Sequence, residues 1–251
     1  MEGIDVPLQA YKLLWFISII FLIGEAWESL PVFNYKLVLF LPWSAGYKQA
    51  RENMTDISNV VNGHEFVDLG LPSGLLWATR NVGARTPEQT GLYFAWGEIE
   101  GFSIKHINKG KIAFDKDKYY TGPAASISKD LTVDNDTANH YMGGKWRTPT
   151  KDEWRELIDN CDTAWTDDYN GTGVAGRVFT SKVNGNSMFL PAAGGCYYSS
   201  VYLVGSYGNY LSASWYSSSY AWGFLFFSRR QYMDNLLRYF GYSLRGVCER
   251  G

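Results

Sequence analysis

The chain has 251 residues, of which 17% are aromatic (10 Trp, 18 Tyr and 14 Phe) and only 19% are charged. So much apolar side chain excludes a disordered protein, because burial of these groups offsets the loss of chain entropy. The net charge of -2 gives no basic footprint, so we expect no nucleic-acid partner. Three Cys are too few for a disulfide framework, and the three scattered His give no zinc-ligand spacing, so we expect no metal and no cofactor.

The N-terminal part of the chain differs from the rest in composition. Residues 13–24 form an apolar run that is shorter than a bilayer span requires, and residues 48–62 are polar. Two interpretations stay open for the apolar run: an export signal or membrane anchor, or a buried appendage. We therefore divide the chain into a hydrophobic segment with its linker at residues 1–60 and a folded domain at residues 61–251.

The first half of that domain is predicted to contain short strands and long loops. Residues 64–67 and 75–79 resemble two strands around a Pro-Gly turn, and residues 92–96 form another short apolar segment. Residues 101–135 are polar, which predicts an irregular region of turns rather than helices. A short helix is expected over residues 136–142.

Two candidates compete at the start of that short helix. Asp134, Asn135 and Asp136 offer oxygen ligands for calcium, but a full ligand set is not evident. Capping of the helix by Asp134 or Asp136 is the favoured interpretation.

The clearest helix of the chain is predicted over residues 148–160. Thr150 and Glu153 have the spacing of a capping box, and apolar residues recur behind them at helical spacing. A hairpin with Asn-Gly at its bend is predicted for residues 174–190. Further strands are expected near 209–214, 220–227 and 243–249. The pattern predicts a loop-rich α+β fold with short strands and one or two helices.

Residues 183–228 contain no charged side chain. Their Tyr, Ser, Asn and Gly content is typical of binding surfaces built from rigid aromatic and small polar groups. The alternative is a β-rich core with Ser and Gly turns. Along residues 220–227, alternation places Trp222, Phe224 and Phe226 towards the core and Leu225 and Phe227 outwards, unless both faces of the strand are buried.

Several motifs carry a family resemblance over residues 62–250. These are HEFVDLGLPSGLLWAT, LYFAWGE, HYMGGKWRTPTKDEW, NGNSMFLPAAG and YFGYSLRGVCE. In this order they resemble the Fibrobacter succinogenes major paralogous domain, a family of mostly secreted or surface proteins of Bacteroidetes-type bacteria. The segment GGKWRTPTKDEW is also similar to a motif of formylglycine-generating enzymes. Both resemblances imply a C-type lectin-like fold, and the first also implies an extracellular or cell-surface location. Leu211 and Gly246 depart from the pattern of the major paralogous domain family.

The chain also resembles the variable proteins of diversity-generating retroelements, which vary a C-terminal region on C-type lectin-like folds. The resemblance implies fixed framework positions at Ala221, Trp222, Phe224, Phe226, Ser228, Arg238, Gly241, Ser243, Arg245 and Val247. It leaves these positions free to vary: Tyr220, Gly223, Leu225, Phe227, Arg229, Arg230, Tyr232, Asp234, Asn235, Leu236, Leu237 and Tyr239.

Enzymatic chemistry finds little support in the sequence. No GxSxG, P-loop or GxGxxG is present, and the neighbouring carboxylate pairs are typical of solvated surface or helix caps. The resemblance implies structural roles for Cys161 and Cys248, and whether they pair is left open. We therefore expect no catalytic residue.

The prediction is a non-enzymatic binding protein that recognises a protein or glycan on another cell or a host surface. The alternatives are a structural, fimbria-like surface component and a formylglycine-type enzyme, and the oligomeric state is open. The predicted ligand-binding residues are Tyr197, Tyr198, Tyr202, Tyr207, Asn209, Leu211, Trp215, Tyr216, Tyr220, Leu225, Phe227, Arg229, Arg230, Tyr232, Asp234, Asn235, Leu236, Leu237 and Tyr239.

Overall fold

Short strands joined by long loops make up most of the described chain. A computed structural model of the protein describes residues 59–250. The predictions for residues 1–58, including the possible anchor at residues 13–24, lie outside the described residues. Within the described range, no helix has both the length and the apolar character needed to cross a membrane.

The fold is mixed α+β and consists mostly of strands. The strands are β1 (Val60–Val61), β2 (His64–Asp68), β3 (Leu76–Ala78), β4 (Trp146–Arg147), β5 (Cys161–Thr166), β6 (Gly176–Ser181), β7 (Ser187–Pro191), β8 (Gly195–Tyr197), β9 (Ser200–Tyr202), β10 (Tyr207–Trp215), β11 (Tyr220–Phe227), β12 (Arg230–Leu237) and β13 (Val247–Cys248). The α-helices are α1 (Ile104–Ile107), α2 (Lys116–Thr121), α3 (Thr137–Met142) and α4 (Lys151–Asn160). Single 3-10 turns lie at Pro123–Ser126, Val133–Asn135 and Tyr169–Gly171.

The strands form small antiparallel sheets. One sheet has the order β1-β2-β3-β13-β4, so β13, the last strand of the described residues, lies between β3 and β4, which come much earlier in the chain. The sheets β5-β6-β7 and β10-β11-β12 and the hairpin β8-β9 each connect strands that are neighbours in sequence. The C-terminal strand therefore closes the fold.

The structure confirms the strongest local predictions. Helix α4 begins after Thr150, whose side chain accepts from the Glu153 N–H while the Glu153 carboxylate accepts from the Thr150 N–H. The predicted hairpin is also present: the Asn-Gly bend joins β6 to β7, which pair antiparallel. Asp136 caps α3 through the Asn139 N–H, so the capping interpretation is confirmed.

Two local predictions need correction. The region 101–135 contains helices α1 and α2, because Ser103 and Asp115 cap the first turns of these short segments. Strand β12 is an element that the sequence analysis did not predict, and it pairs with β11 along its whole length.

The β10-β11-β12 sheet is covered on both faces. On one face the Phe224 ring stacks on Trp154 of α4, with centroids 4.8 Å apart, and Phe226 is fully buried. On the other face Leu211 and Leu236 pack into a second cluster that includes Trp96. Side chains on both faces of the sheet are therefore buried.

This two-sided burial modifies the predicted alternation. Leu225 and Phe227 are half-buried rather than exposed, and Leu225 packs against the second cluster. Trp222 is also half-buried, because it lies near the start of the strand, where Lys151 and Arg155 of α4 lie over its ring. The core placement of Phe224 and Phe226 is confirmed.

Two buried arginines hold the C-terminal segment in place without a carboxylate partner among the described residues. Arg245 donates to the Ala78 carbonyl at 2.8 Å, to the Phe189 carbonyl at 3.0 Å and to Asn81 Oδ1 at 3.0 Å. Burial lowers the pKa of Arg245 to about 10, so it stays cationic at neutral pH. Arg238 donates to the Tyr119 hydroxyl and the Ala124 carbonyl, among others.

We predict that Arg245→Met destabilises the protein by about 3 kcal/mol, because three buried acceptors lose their donors at once. The control is Arg85→Met, since the Arg85 side chain is exposed, and its effect is expected to stay within about 0.5 kcal/mol. Urea unfolding followed by tryptophan fluorescence measures both. Equal midpoints for the two variants would contradict the anchoring role of Arg245.

Candidate ligand-binding surface

Six aromatic side chains that keep part of their surface in water contact one another at one place on the fold. We call this set the aromatic cluster. Its members are Tyr120, Tyr197, Tyr198, Tyr202, Tyr239 and Phe240. Tyr198 is the most exposed, at 39%. The cluster joins the β8-β9 hairpin to the segment after β12 and to the end of α2.

The rings pack in the geometries that aromatic pairs prefer. Tyr197 stacks on Phe240 with centroids 4.6 Å apart and planes 12° apart. Tyr239 contacts Tyr197 at 5.8 Å, Tyr120 at 5.8 Å and Phe240 at 5.0 Å. Stacked and edge-to-face contacts each stabilise by about 0.5–1.5 kcal/mol beyond burial. The rings therefore hold one another in fixed orientations.

Backbone pairing positions the hairpin that carries most of these rings. Cys196 exchanges two N–H···O bonds with Gly241, both at 2.8 Å. At the hairpin tip the Tyr198 N–H donates to the Phe114 carbonyl at 2.9 Å, and the Tyr198 carbonyl accepts from Ala113 at 3.1 Å. Tyr198 has φ of 54°, which is costly for a bulky residue and persists only where surrounding contacts enforce it.

Three tyrosines of the cluster, Tyr198, Tyr202 and Tyr239, have a raised pKa. The Asp115 carboxylate beside Tyr198 raises the pKa of that phenol. Burial raises the pKa of Tyr202 to about 12 and also raises the pKa of Tyr239. The cluster is therefore an uncharged surface that combines ring faces with hydroxyl donors and acceptors.

A second group of predicted residues lies across one end of the β10-β11-β12 sheet. Phe227 pairs in register with Tyr207 and Arg230, and Leu225 pairs with Tyr232. The Phe227 and Tyr207 ring centroids are 5.2 Å apart. These side chains share one face of the sheet, together with Asp234, while Arg229 lies exposed in the turn between β11 and β12.

A third group lies at the opposite end of the sheet, around Trp222. Tyr216 contacts the Trp222 ring edge-to-face at 5.1 Å, and Tyr216 and Tyr220 are exposed. The remaining predicted residues here are half-buried Trp215 and Leu237 and exposed Asn235. The structure therefore separates the predicted binding residues into three groups rather than one face.

Three of the residues predicted to bind a ligand do not lie on the surface, so the prediction is wrong for them. Asn209, Leu211 and Leu236 are 6%, 2% and 6% exposed. Leu211 and Leu236 fill the second core cluster, and the Asn209 amide donates to the Gly194 carbonyl. Gly223 is not free to vary either, because a Cβ there would approach Leu236 Cδ1 to 2.2 Å and the Tyr210 carbonyl oxygen to 2.9 Å.

Two members of the aromatic cluster were missed by sequence reasoning. Tyr120 lies in a polar stretch whose composition predicts turns, and Phe240 follows the last strand of the β10-β11-β12 sheet. For Tyr120, the adjacent Tyr119–Tyr120 pair within that polar stretch is the only signal the sequence offers.

A further cavity of about 230 Å³ is lined partly by His64, Glu65, Arg80 and Tyr141. Burial and the neighbouring Arg80 lower the pKa of His64, and Arg80 pairs with Glu65 at 3.6 Å. In residues 59–250, no group of three or more His, Cys, Asp or Glu side chains is placed to hold a metal ion.

The three cysteines do not form disulfides and are all buried. Burial raises the pKa of Cys161 to about 11, of Cys196 to about 12 and of Cys248 to about 11. A thiol nucleophile needs a lowered pKa and access to substrate. These environments therefore provide neither property.

No protein-family model matches this chain, and neither a curated protein nor a solved structure is detectably similar to it.

We predict that iodoacetamide at about pH 8 leaves all three thiols of the folded protein unmodified, because a buried thiol of raised pKa is almost fully protonated there. The same treatment in concentrated guanidinium should add three carbamidomethyl groups, measured by intact mass. Rapid modification of one thiol in the folded protein would favour the formylglycine-type alternative.

Proposed function

We propose that this protein is a non-enzymatic binding protein whose contact surface is centred on the aromatic cluster. The observation that carries the proposal is the set of partly exposed rings in mutual contact. Aromatic side chains provide large contact area with few rotatable bonds and are enriched at the energetic centres of interfaces. The ligand class is a protein or glycan on another cell or a host surface.

The frame around the cluster supports a recognition role. Backbone bonds at Cys196 and Tyr198 hold the hairpin, and contacts between the rings fix their orientations. A ligand that meets pre-ordered rings loses less conformational entropy on binding. The strained backbone at Tyr198 is the kind of local cost that clusters at functional sites.

The finer assignments belong to the same proposal. The scaffold is a C-type lectin-like fold of the major paralogous domain type, exported to the surface of a bacterial cell, and the chain is the variable protein of a diversity-generating retroelement. In support, Tyr232 and Tyr239 are half-buried and Arg229 and Arg230 are exposed at positions where the resemblance allows variation. Gly223 and Leu236 are excluded from the positions that are free to vary, because Gly223 has no room for a side chain and Leu236 is buried.

We predict that Tyr198→Gly weakens binding with little change in stability. Glycine relieves the cost of positive φ but removes the edge-to-face contact with Tyr197, and the two effects are of similar size, so the free energy of unfolding should change by no more than about 1 kcal/mol. Peptides selected from a random displayed library on the wild-type protein should lose about tenfold or more in affinity, as expected for an interface tyrosine.

The matched control is Tyr141→Ala, because Tyr141 is 38% exposed and lies on α3 outside the cluster. Its binding should equal that of the wild type. Peptides that bind Tyr198→Gly as tightly as the wild type would exclude the cluster as the site. Oligomers of the wild type that dissociate in Tyr198→Gly would favour the structural, sister-subunit alternative.

The diversification proposal is tested by reading the gene's surroundings. We expect a second, nearly identical copy of the codons for residues 196–247 close to a reverse transcriptase gene, with mismatches at adenines. The mismatched codons should fall on exposed or half-buried positions such as Tyr232 and Tyr239 and spare Gly223 and Leu236. Absence of the repeat would remove this proposal and leave the binding surface untouched.

A further inference from the structure

A basic segment adjoins the aromatic cluster in an otherwise slightly acidic chain. Residues 103–118 contain five Lys and two Asp, a net charge of +3, whereas the whole chain has a net charge of -2. The lysines are Lys105, Lys109, Lys111, Lys116 and Lys118, and all five are exposed. We call residues 103–118 the lysine segment.

Direct contacts join the lysine segment to the aromatic cluster. Phe114 bridges to Tyr198 at the hairpin tip through backbone bonds, and the Asp115 carboxylate lies beside the Tyr198 hydroxyl. Helix α2, which begins within the segment, carries Tyr120 of the cluster. A ligand on the rings therefore lies next to this positive field.

Most of these lysines are available to a ligand. Among the described residues, Lys118 is the member of the segment that forms an ion pair, with Glu100 at 3.6 Å. Lys111 lies over the Phe102 ring at 5.5 Å. Of the two carboxylates, Asp115 is engaged as the cap of α2 through the Lys118 N–H at 2.9 Å. The segment thus presents more unneutralised positive than negative charge.

Exposed aliphatic side chains follow the same hairpin. Leu203 and Val204, directly after β9, are each 48% exposed. Leu203 has φ of 58°, and its carbonyl accepts from the Ser206 and Tyr207 N–H groups, which fix the turn. Exposed aliphatic groups beside aromatic rings fit apolar side chains of a polypeptide better than the hydroxyl-covered surface of a glycan.

We propose that the aromatic cluster and the lysine segment together bind a polypeptide partner rich in acidic and apolar side chains. The proposal rests on the binding function of the cluster. The rings and aliphatic groups contact the apolar side chains, and the lysines attract the carboxylates, which raises the association rate and selects partners by charge.

Synthetic polymers of defined chemistry test the pairing of charge with aromatic content. The full chain is immobilised, and binding is measured for a random Glu-Tyr copolymer, a Lys-Tyr copolymer, poly-Glu and polygalacturonate. We expect the Glu-Tyr copolymer to bind best, with an affinity that falls as salt is raised to about 0.15 M, because the lysines are solvent-exposed. The variant Lys105→Glu/Lys109→Glu/Lys116→Glu should lose about tenfold or more.

The control variant is Lys129→Glu/Lys145→Glu/Lys182→Glu, which changes the net charge equally at exposed lysines outside the segment. It should bind the Glu-Tyr copolymer to within about twofold of the wild type, because long-range effects between exposed charges are screened. Equal losses in the two variants would overturn the proposed role of the lysine segment.

The remaining outcomes separate this inference from the proposed function. Absence of binding to the Glu-Tyr copolymer would overturn the inference, as would equal binding of the Lys-Tyr copolymer or of polygalacturonate. If the wild type binds any of the polymers and that binding is lost in Tyr198→Gly, the aromatic cluster is still supported as the binding site. Binding that depends on the lysines and is unchanged in Tyr198→Gly would instead overturn the cluster as the site. Both proposals are supported if the wild type binds the Glu-Tyr copolymer more tightly than the other polymers and if this binding is lost in Tyr198→Gly and in Lys105→Glu/Lys109→Glu/Lys116→Glu.

Discussion

The fold depends on two guanidinium groups that are buried without carboxylate partners among the described residues. A buried cation is tolerated only where its donors find acceptors, so Arg238 and Arg245 determine which backbone carbonyls must converge. Arg245 brings together carbonyls of β3 and β7, and Arg238 brings together the turn after β10 and the 3-10 turn at Pro123–Ser126. The two turns that Arg238 joins are thereby held together although they share no strand pairing. Tyr239 and Phe240 follow Arg238 directly, so two rings of the aromatic cluster are attached to one of these anchors.

Local signals in the sequence were sufficient for the elements that depend on local chemistry. The capping box at Thr150 and Glu153 defined the start of α4, and the Asn-Gly pair defined the β6-β7 bend. Strand β12 was not predictable from the sequence, because apolar and polar side chains do not alternate regularly along RQYMDNLL. Its residues are specified by their partners on β11, which no pattern within the segment reveals. The burial of Leu211 and Leu236 was not predictable from the sequence either. Alternation separates the two faces of a strand, but it does not show whether a second core cluster covers the outer face.

The sequence predicted the types of residue that form the candidate surface, but only some of the individual residues. An absence of charge over residues 183–228 pointed to Tyr197, Tyr198 and Tyr202, which the structure brings together with Tyr239. The same composition could not distinguish them from Asn209, whose amide is used up inside the fold. Tyr120 comes from a polar segment far away in sequence, and long-range contacts place it nearby: the pairing of Phe114 with Tyr198 and the bond from Arg238 to the Tyr119 hydroxyl. The positive φ of Tyr198 follows from its place as the first residue of the two-residue turn between Tyr197 and Ser200, a position that usually carries Gly, Asn or Asp.

The way in which the hairpin is held bears on whether its surface can change in sequence. At Cys196 and Tyr198 the fold is tied by backbone N–H and carbonyl groups, which every residue except proline supplies. Side chains at Tyr197, Tyr198 and Tyr202 can therefore be exchanged without removing the bonds that position them. By contrast, Leu236 fills the core with its side chain, and Gly223 leaves the space that this side chain occupies, so substitution at either position disturbs the core directly. A scaffold that separates backbone-held surface positions from volume-held core positions is the physical requirement for a binding face that varies while the fold stays constant. The two proposals, a diversified surface and an acidic polypeptide partner, meet here, because the lysine segment lies outside residues 196–247 and its charge would persist while the rings beside it change.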